Sequence, residues 1–263
     1  MEATGINLSA FGTTQKPVIA HITLHDGEAA IKLRDAGPLA ERARLADDTA
    51  TVFAGWRQEL LGLARPIGVD VALDVSALKP VATGPLWGMT HRPLDYAFYG
   101  DAPVTDRIGE FGVRFRAMLD AGSMELGKEL IEASPRATLE LLEFKGQYAG
   151  GSAHHTHAGW RADDRGKRPD KLLAKMLQEL GINAGEGAQK LGSTELDAIL
   201  CAMTALAVRK GEGNLTAREL DGEISERCAR RSLAVQADRT HKAPRHAFVL
   251  ARPFWESAVV TRE

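Results

Sequence analysis

Asn7, Asp70, Glu132 and Asp197 are polar residues that the element pattern brings toward one another although long stretches of chain separate them. Acids from separate elements are what a hard divalent cation needs. Mg²⁺ takes carboxylates and water and leaves the rest of its sphere for phosphate, so scattered acids suit it better than one contiguous motif. Asp70 lies in IGVDVALDVS, residues 67–76, where Val69, Val71, Leu73 and Val75 alternate with Asp70, Ala72 and Asp74 at the period of a strand. A carboxylate in a sheet costs several kcal/mol unless it is paired, hydrogen-bonded or metal-bound. This strand therefore ends at a wet cleft or lines a cation site. At roughly 3.3 Å per residue Asp74 stands about 13 Å beyond Asp70, too far to share one ion, which leaves Asp70 as the ligand.

Each residue has a structural reading too. Thr194 precedes Asp197 by three places and could cap a helix whose first turn favours the acid. Against that, Asp197 borders the apolar stripe Leu196, Ile199, Leu200, Met203 and Leu206, the seam along which such a helix meets a sheet. Asp70 and Glu132 could each be ion-paired to arginine. Asn7 could be a turn former at a strand end.

These residues need elements to hold them. A first short strand is expected at 5–9, and two more at 16–25 and 29–34, joined by Asp26 and Gly27, a dipeptide that favours a hairpin turn. Residues 47–64 carry Val52, Phe53, Trp56, Leu60, Leu61 and Leu63 at helical spacing, and Pro66 stops that helix before the strand at Ile67. This crossover makes the fourth strand parallel to an earlier one. A strand at 126–134 ends in Ser134 and Pro135, an N-cap followed by proline at the first helical position. Helices are expected at 105–119, 171–180, 194–209 and 216–236, and an edge strand at 246–250 closes the chain. The fold class is α/β: a mixed sheet, antiparallel hairpin strands first and parallel crossover strands after, flanked by helices. It forms one domain over 1–263, with an irregular insertion at about 79–106 and a long loop at about 145–170.

Composition excludes several classes. With 263 residues, a hydrophobic share of 44 %, a charged share of 26 % and a net charge of -2, the chain is no globally basic nucleic-acid binder, so a polyanion must be met by a local patch or a metal. Neither a signal peptide nor a membrane span is seen, and the two cysteines, Cys201 and Cys228, read as reduced thiols in a cytoplasmic protein. His154, His155 and His157 cluster in the long loop but lack the rigid elements and fourth partner of a zinc site. A solvated loop is the plainer reading. The other is a lid on which Trp160 stacks and His157 or Arg161 meets phosphate. No GxxxxGK[ST] and no strand-borne GxGxxG is present, which weighs against nucleotide-binding designs.

The segments GINLSAFGTTQKPVIAHI, IGVDVALDVS, THRPLDYAF, LIEASPRATLELL with FKGQY, and TELDAILCAMTAL occur in this order between residues 4 and 210. As an ordered set they resemble a prokaryotic family labelled a domain of unknown function and described as predicted nucleases with a ribonuclease H-like fold. The resemblance implies adjacent first and fourth strands and a Mg²⁺ or Mn²⁺ site. By position the metal ligands fall on Asn7, Asp70, Glu132 and Asp197, with Asp70, Glu132 and Asp197 catalytic. Arg92 and Asp95 match an arginine-then-aspartate motif, and Lys145 matches a lysine beside the loop. Substrate contacts are accordingly expected from Arg92, Lys145, His157 and Arg161. The departure is Asn7, since relatives look like GIDLS. An amide offers a carbonyl oxygen but no charge, so metal affinity should fall. The expected function is a metal-dependent phosphodiester hydrolase acting on nucleic acid. An inactive ribonuclease H-like binding or regulatory protein is the alternative, and a nucleotide-binding phosphotransferase a third.

Overall fold

Asp26 and Gly27 turn the chain with φ of 48° and 86°. The sense of that turn matches the twist of the flanking strands, and β2 (Val18–His25) and β3 (Glu28–Asp35) pair antiparallel on either side of it. β1 (Glu2–Asn7) adds antiparallel to β2. The computed structural model describes residues 1–8, 17–40, 49–71, 73, 94, 97–98, 124–142, 178, 180–183, 191, 193–230 and 242–262.

After a 3₁₀ turn at Gly37–Ala40, α1 (Thr49–Gly62) carries the chain across one face of the sheet, and β4 (Ile67–Val69) returns parallel to β1. The strand expected over 67–76 is shorter than its alternation suggested. The ladder ends at Val69, yet Val71 and Leu73 stay buried with Val69, Ile6, Ile19 and the α1 residues Val52, Trp56 and Leu60. Burial continued the pattern after the pairing stopped. β5 (Leu130–Ala133) joins β4 in parallel, and its start is set by a turn through Gly127 at φ 83°. Ser134 caps α2 (Pro135–Leu141) by accepting from the Ala137 N–H at 3.4 Å, with proline inside the first turn as expected.

β6 (Ile182–Asn183), α3 (Ser193–Lys210), α4 (Ala217–Arg230), β7 (Ala247–Phe248) and β8 (Ser257–Arg262) complete the described elements. The eight-stranded mixed sheet has the order β6-β8-β3-β2-β1-β4-β5-β7. β7 is the expected edge strand, but it does not close the chain. β8 pairs parallel to β3 and β6 parallel to β8, extending the far side of the sheet by two strands that sequence patterning did not predict. β8 buries Ala258 and Val260 while Val259 stays 49 % exposed, so the period of two is present but only one face has a core to meet.

α3 covers the other face, where Ile199, Leu200, Met203 and Leu206 share a core with Ala20, Ile22, Ile31 and Ile131. A third cluster joins Leu94, Ala97 and Phe98, from the expected insertion, to Ala137 of α2 and to Leu220 and Ile224 of α4. There Arg227 lies over the Phe98 ring at 4.2 Å and ion-pairs with Glu140 and Glu223. At the start of α4, Thr216 and Glu219 form a reciprocal cap: the Thr216 N–H and hydroxyl each donate to Glu219 Oε2 at 2.7 Å, and the Glu219 N–H donates back to Thr216 Oγ1 at 3.3 Å. No helix among the described residues is long and apolar enough to cross a membrane. The rest of the expected insertion, the loop at 145–170 and the helix at 105–119 lie outside the described residues, as does most of the helix at 171–180.

Candidate functional site

Gly5 and Gly68 are register partners on β1 and β4. Each stands two residues before a polar group, Asn7 and Asp70 respectively, in the repeated pattern Gly-apolar-polar. A Cβ on Gly5 would fall on the Ala198 carbonyl oxygen and the Ala202 nitrogen, and one on Gly68 would fall on the Cys201 carbonyl oxygen. The absence of side chains at both positions lets the main chain of α3 lie directly on β1 and β4. Residues two apart on a strand share a face, so Asn7 carries that face on toward the start of α3, and Asp70 follows directly where the β4 ladder ends.

There Asn7 Nδ2 donates to Asp197 Oδ2 at 3.1 Å. Asn7 is 9 % exposed and Asp197 2 %. The helix is already formed at Ser193, so Thr194 is not its cap, and the first-turn acid is Glu195, which pairs with Arg262. Asp197 therefore sits a turn inside α3, along the seam with the sheet. Asp70 is half-buried just past the end of β4. Ile6 and Val69 are ladder partners, so Asn7 and Asp70 leave adjoining strand ends. The carboxyl ends of parallel strands are where open α/β sheets bind ligands.

Glu132 departs from the expected convergence. It pairs in register with Val69 and has the parity of Leu130, whose side chain packs with the α1 core. Alternation places it on the sheet face opposite Asn7. Its Oε2 accepts the Leu73 N–H at 3.1 Å and stands 3.5 Å from His246 Nε2. Glu132 is 1 % exposed, and the bond from Leu73 ties its carboxyl group to the chain leaving β4. Among the described residues no three His, Cys, Asp or Glu side chains stand together as a metal-holding group. Arg92, Asp95, Lys145, His157 and Arg161 lie outside the described residues.

The chemistry of the donor set decides what cation could fit. Asp197 on α3 and Asp70 just past the end of β4 carry hard oxygen donors on elements that pack together, and with water and phosphate they would suit one Mg²⁺ or Mn²⁺, while Asn7 turns its N–H to Asp197. They do not fit a two-cation centre that relies on Glu132. Sequence reasoning missed His246 and the role of the two glycines. The repeated spacing in GIN and GVD was the available signal for the glycines; His246 carried none, since its meaning depends on β7 pairing with β5.

Comparison with protein-family models, with curated proteins and with solved structures finds no match for this chain.

Proposed function

We propose that the ends of β1 and β4, together with Asp197 of α3, form the site of a ribonuclease H-like phosphodiester hydrolase acting on nucleic acid with one Mg²⁺ or Mn²⁺. The observation that carries this reading is the 3.1 Å contact between Asn7 and Asp197, residues 190 apart in the chain, beside the strand end that bears Asp70. The sheet adds support: it is mixed, and β4 lies parallel beside β1, the adjacency of first and fourth strands that the resemblance implies.

Asp70 and Asp197 would hold the cation. A bound cation would polarise the phosphoryl group and acidify water at neutral pH. The chain's own residues do the rest. Asn7 orients the Asp197 carboxylate through its N–H, and the glycine-seated α3 fixes the position of that carboxylate relative to the strand ends. Glu132 supports the chain beyond Asp70 from the other face. Arg92, Lys145, His157 and Arg161 are the proposed phosphate contacts, and Lys145 and Arg161, with Arg165, Lys167 and Arg168, would supply the local positive charge that a net charge of -2 withholds.

Cleavage of single- and double-stranded DNA and RNA in Mn²⁺ tests the reading, with Asp70→Asn and Asp197→Asn beside the parent. The expected loss is roughly 100-fold or more in each variant. Equal cleavage by parent and Asp70→Asn would overturn it. The neutral Asn7 favours a second reading, a nucleic-acid-binding protein without turnover. Binding without cleavage in the parent, with cleavage appearing in Asn7→Asp, would select that second reading.

A further inference from the structure

Asn7 presents an N–H to Asp197, and this changes what holds the site together. The donor lies 3.1 Å from Asp197 Oδ2, and both side chains are at least nine-tenths buried. An amide hydrogen carries partial positive charge, so it meets the carboxylate where a cation otherwise would. Gly5 and Gly68 leave no slack: the main chain of α3 already touches β1 and β4, and the two side chains cannot drift far apart without lifting the helix from the sheet.

We infer that Asn7 is a positioning residue whose amide substitutes for a divalent cation at Asp197, so that the site stays assembled without metal and binds metal weakly. This rests on reading Asp197 as a cation ligand, though not on any cleavage. In Asn7→Asp two carboxyl groups would face each other at hydrogen-bond distance in a buried seam, an arrangement that a shared proton or a bound cation must relieve, and alkaline pH disfavours the proton. The swapped pair Asn7→Asp with Asp197→Asn restores one amide and one carboxylate in reversed positions. It should again need no cation.

The test is thermal unfolding of the parent, Asn7→Asp and the swapped double variant at about pH 8, above the ordinary carboxylate range. Each is melted in chelator and in Mn²⁺ at about 0.1 mM, a level chosen to favour a tight site over a weak one. Mn²⁺ should raise the midpoint of Asn7→Asp by roughly 5–10 °C and move the parent and the swapped variant by about 1 °C or less. If Asn7→Asp is unfolded in chelator, return of its circular dichroism on adding Mn²⁺ is the equivalent expected result. An Asn7→Asp shift no larger than the parent's overturns the inference. So does a swapped variant as cation-dependent as Asn7→Asp, or an unfolded Asn7→Asp that Mn²⁺ does not restore. Because the readout is folding, absence of nuclease activity would sink the hydrolase reading and leave this comparison intact.

Discussion

Gly5 and Gly68 face each other across the β1–β4 ladder, and both are covered by the main chain of one helix, α3. The contact is between backbones, so neither partner is a flexible side chain that could give way. Each glycine is followed two residues later by a polar group at the strand end, and the helix that lies on them brings Asp197 to Asn7. Close packing and the candidate chemistry are thus one feature of the fold.

Gly68→Ala and Gly5→Ala should therefore both destabilise the protein. Overpacking a filled core costs about 1–3 kcal/mol, and backbone on the receiving side puts these two at the upper end of that range. Urea unfolding measures it. Gly62→Ala is the control: Gly62 ends α1, an added methyl there would meet nothing within 4 Å, and stability should change by less than about 1 kcal/mol.

Glu132 should act on stability through its bond to the Leu73 N–H. Glu132→Ala leaves that donor without this acceptor and should cost about 1–3 kcal/mol, more than Glu132→Gln, whose amide oxygen can still accept. Equal unfolding midpoints for the parent and Glu132→Ala would show that the bond carries no stability.

The cap of α4 should loosen in acid. Hydrogen bonds from the Thr216 hydroxyl, and then from its N–H, hold the Glu219 carboxyl below its ordinary value of 4.5. A carboxylate whose pKa is lowered by folding stabilises the fold above its unfolded value, and that contribution is lost as pH falls through the folded one. Amide exchange at Thr216 and Glu219 should therefore rise, relative to the intrinsic rate, as pH is taken from about 6 to about 3. Glu219→Gln, which keeps an acceptor but cannot ionise, should remove the dependence. Unchanged acid sensitivity in that variant would place its origin elsewhere.

Local signals made much of this fold legible. Asp26 and Gly27 mark the hairpin, Ser134 with Pro135 marks α2, and the stripe from Leu196 to Leu206 marks α3 nearly to its ends. Register was harder. Alternation in IGVDVALDVS reports burial, and burial outlasts the ladder by several residues. It also cannot say which face a neighbouring strand presents: Glu132 reads as one more acid near Asp70 until its pairing with Val69 puts it on the α1 side. β8 escaped because its partner, β3, is over two hundred residues away, and a half-exposed strand of six residues has a weak pattern of its own. Of the candidate site, the chain positions of Asn7, Asp70 and Asp197 were readable. The orientation of Asn7, with nitrogen toward the acid, was not, because it depends on the packing of α3.

The most direct measurement is anomalous diffraction from crystals soaked in Mn²⁺. The proposed site predicts one peak on the α3 face at the ends of β1 and β4, about 2.0–2.3 Å from carboxylate oxygens of Asp70 and Asp197 and absent from Asp70→Asn crystals. Mn²⁺ bound only elsewhere, or no peak at that position at saturating cation, would contradict it.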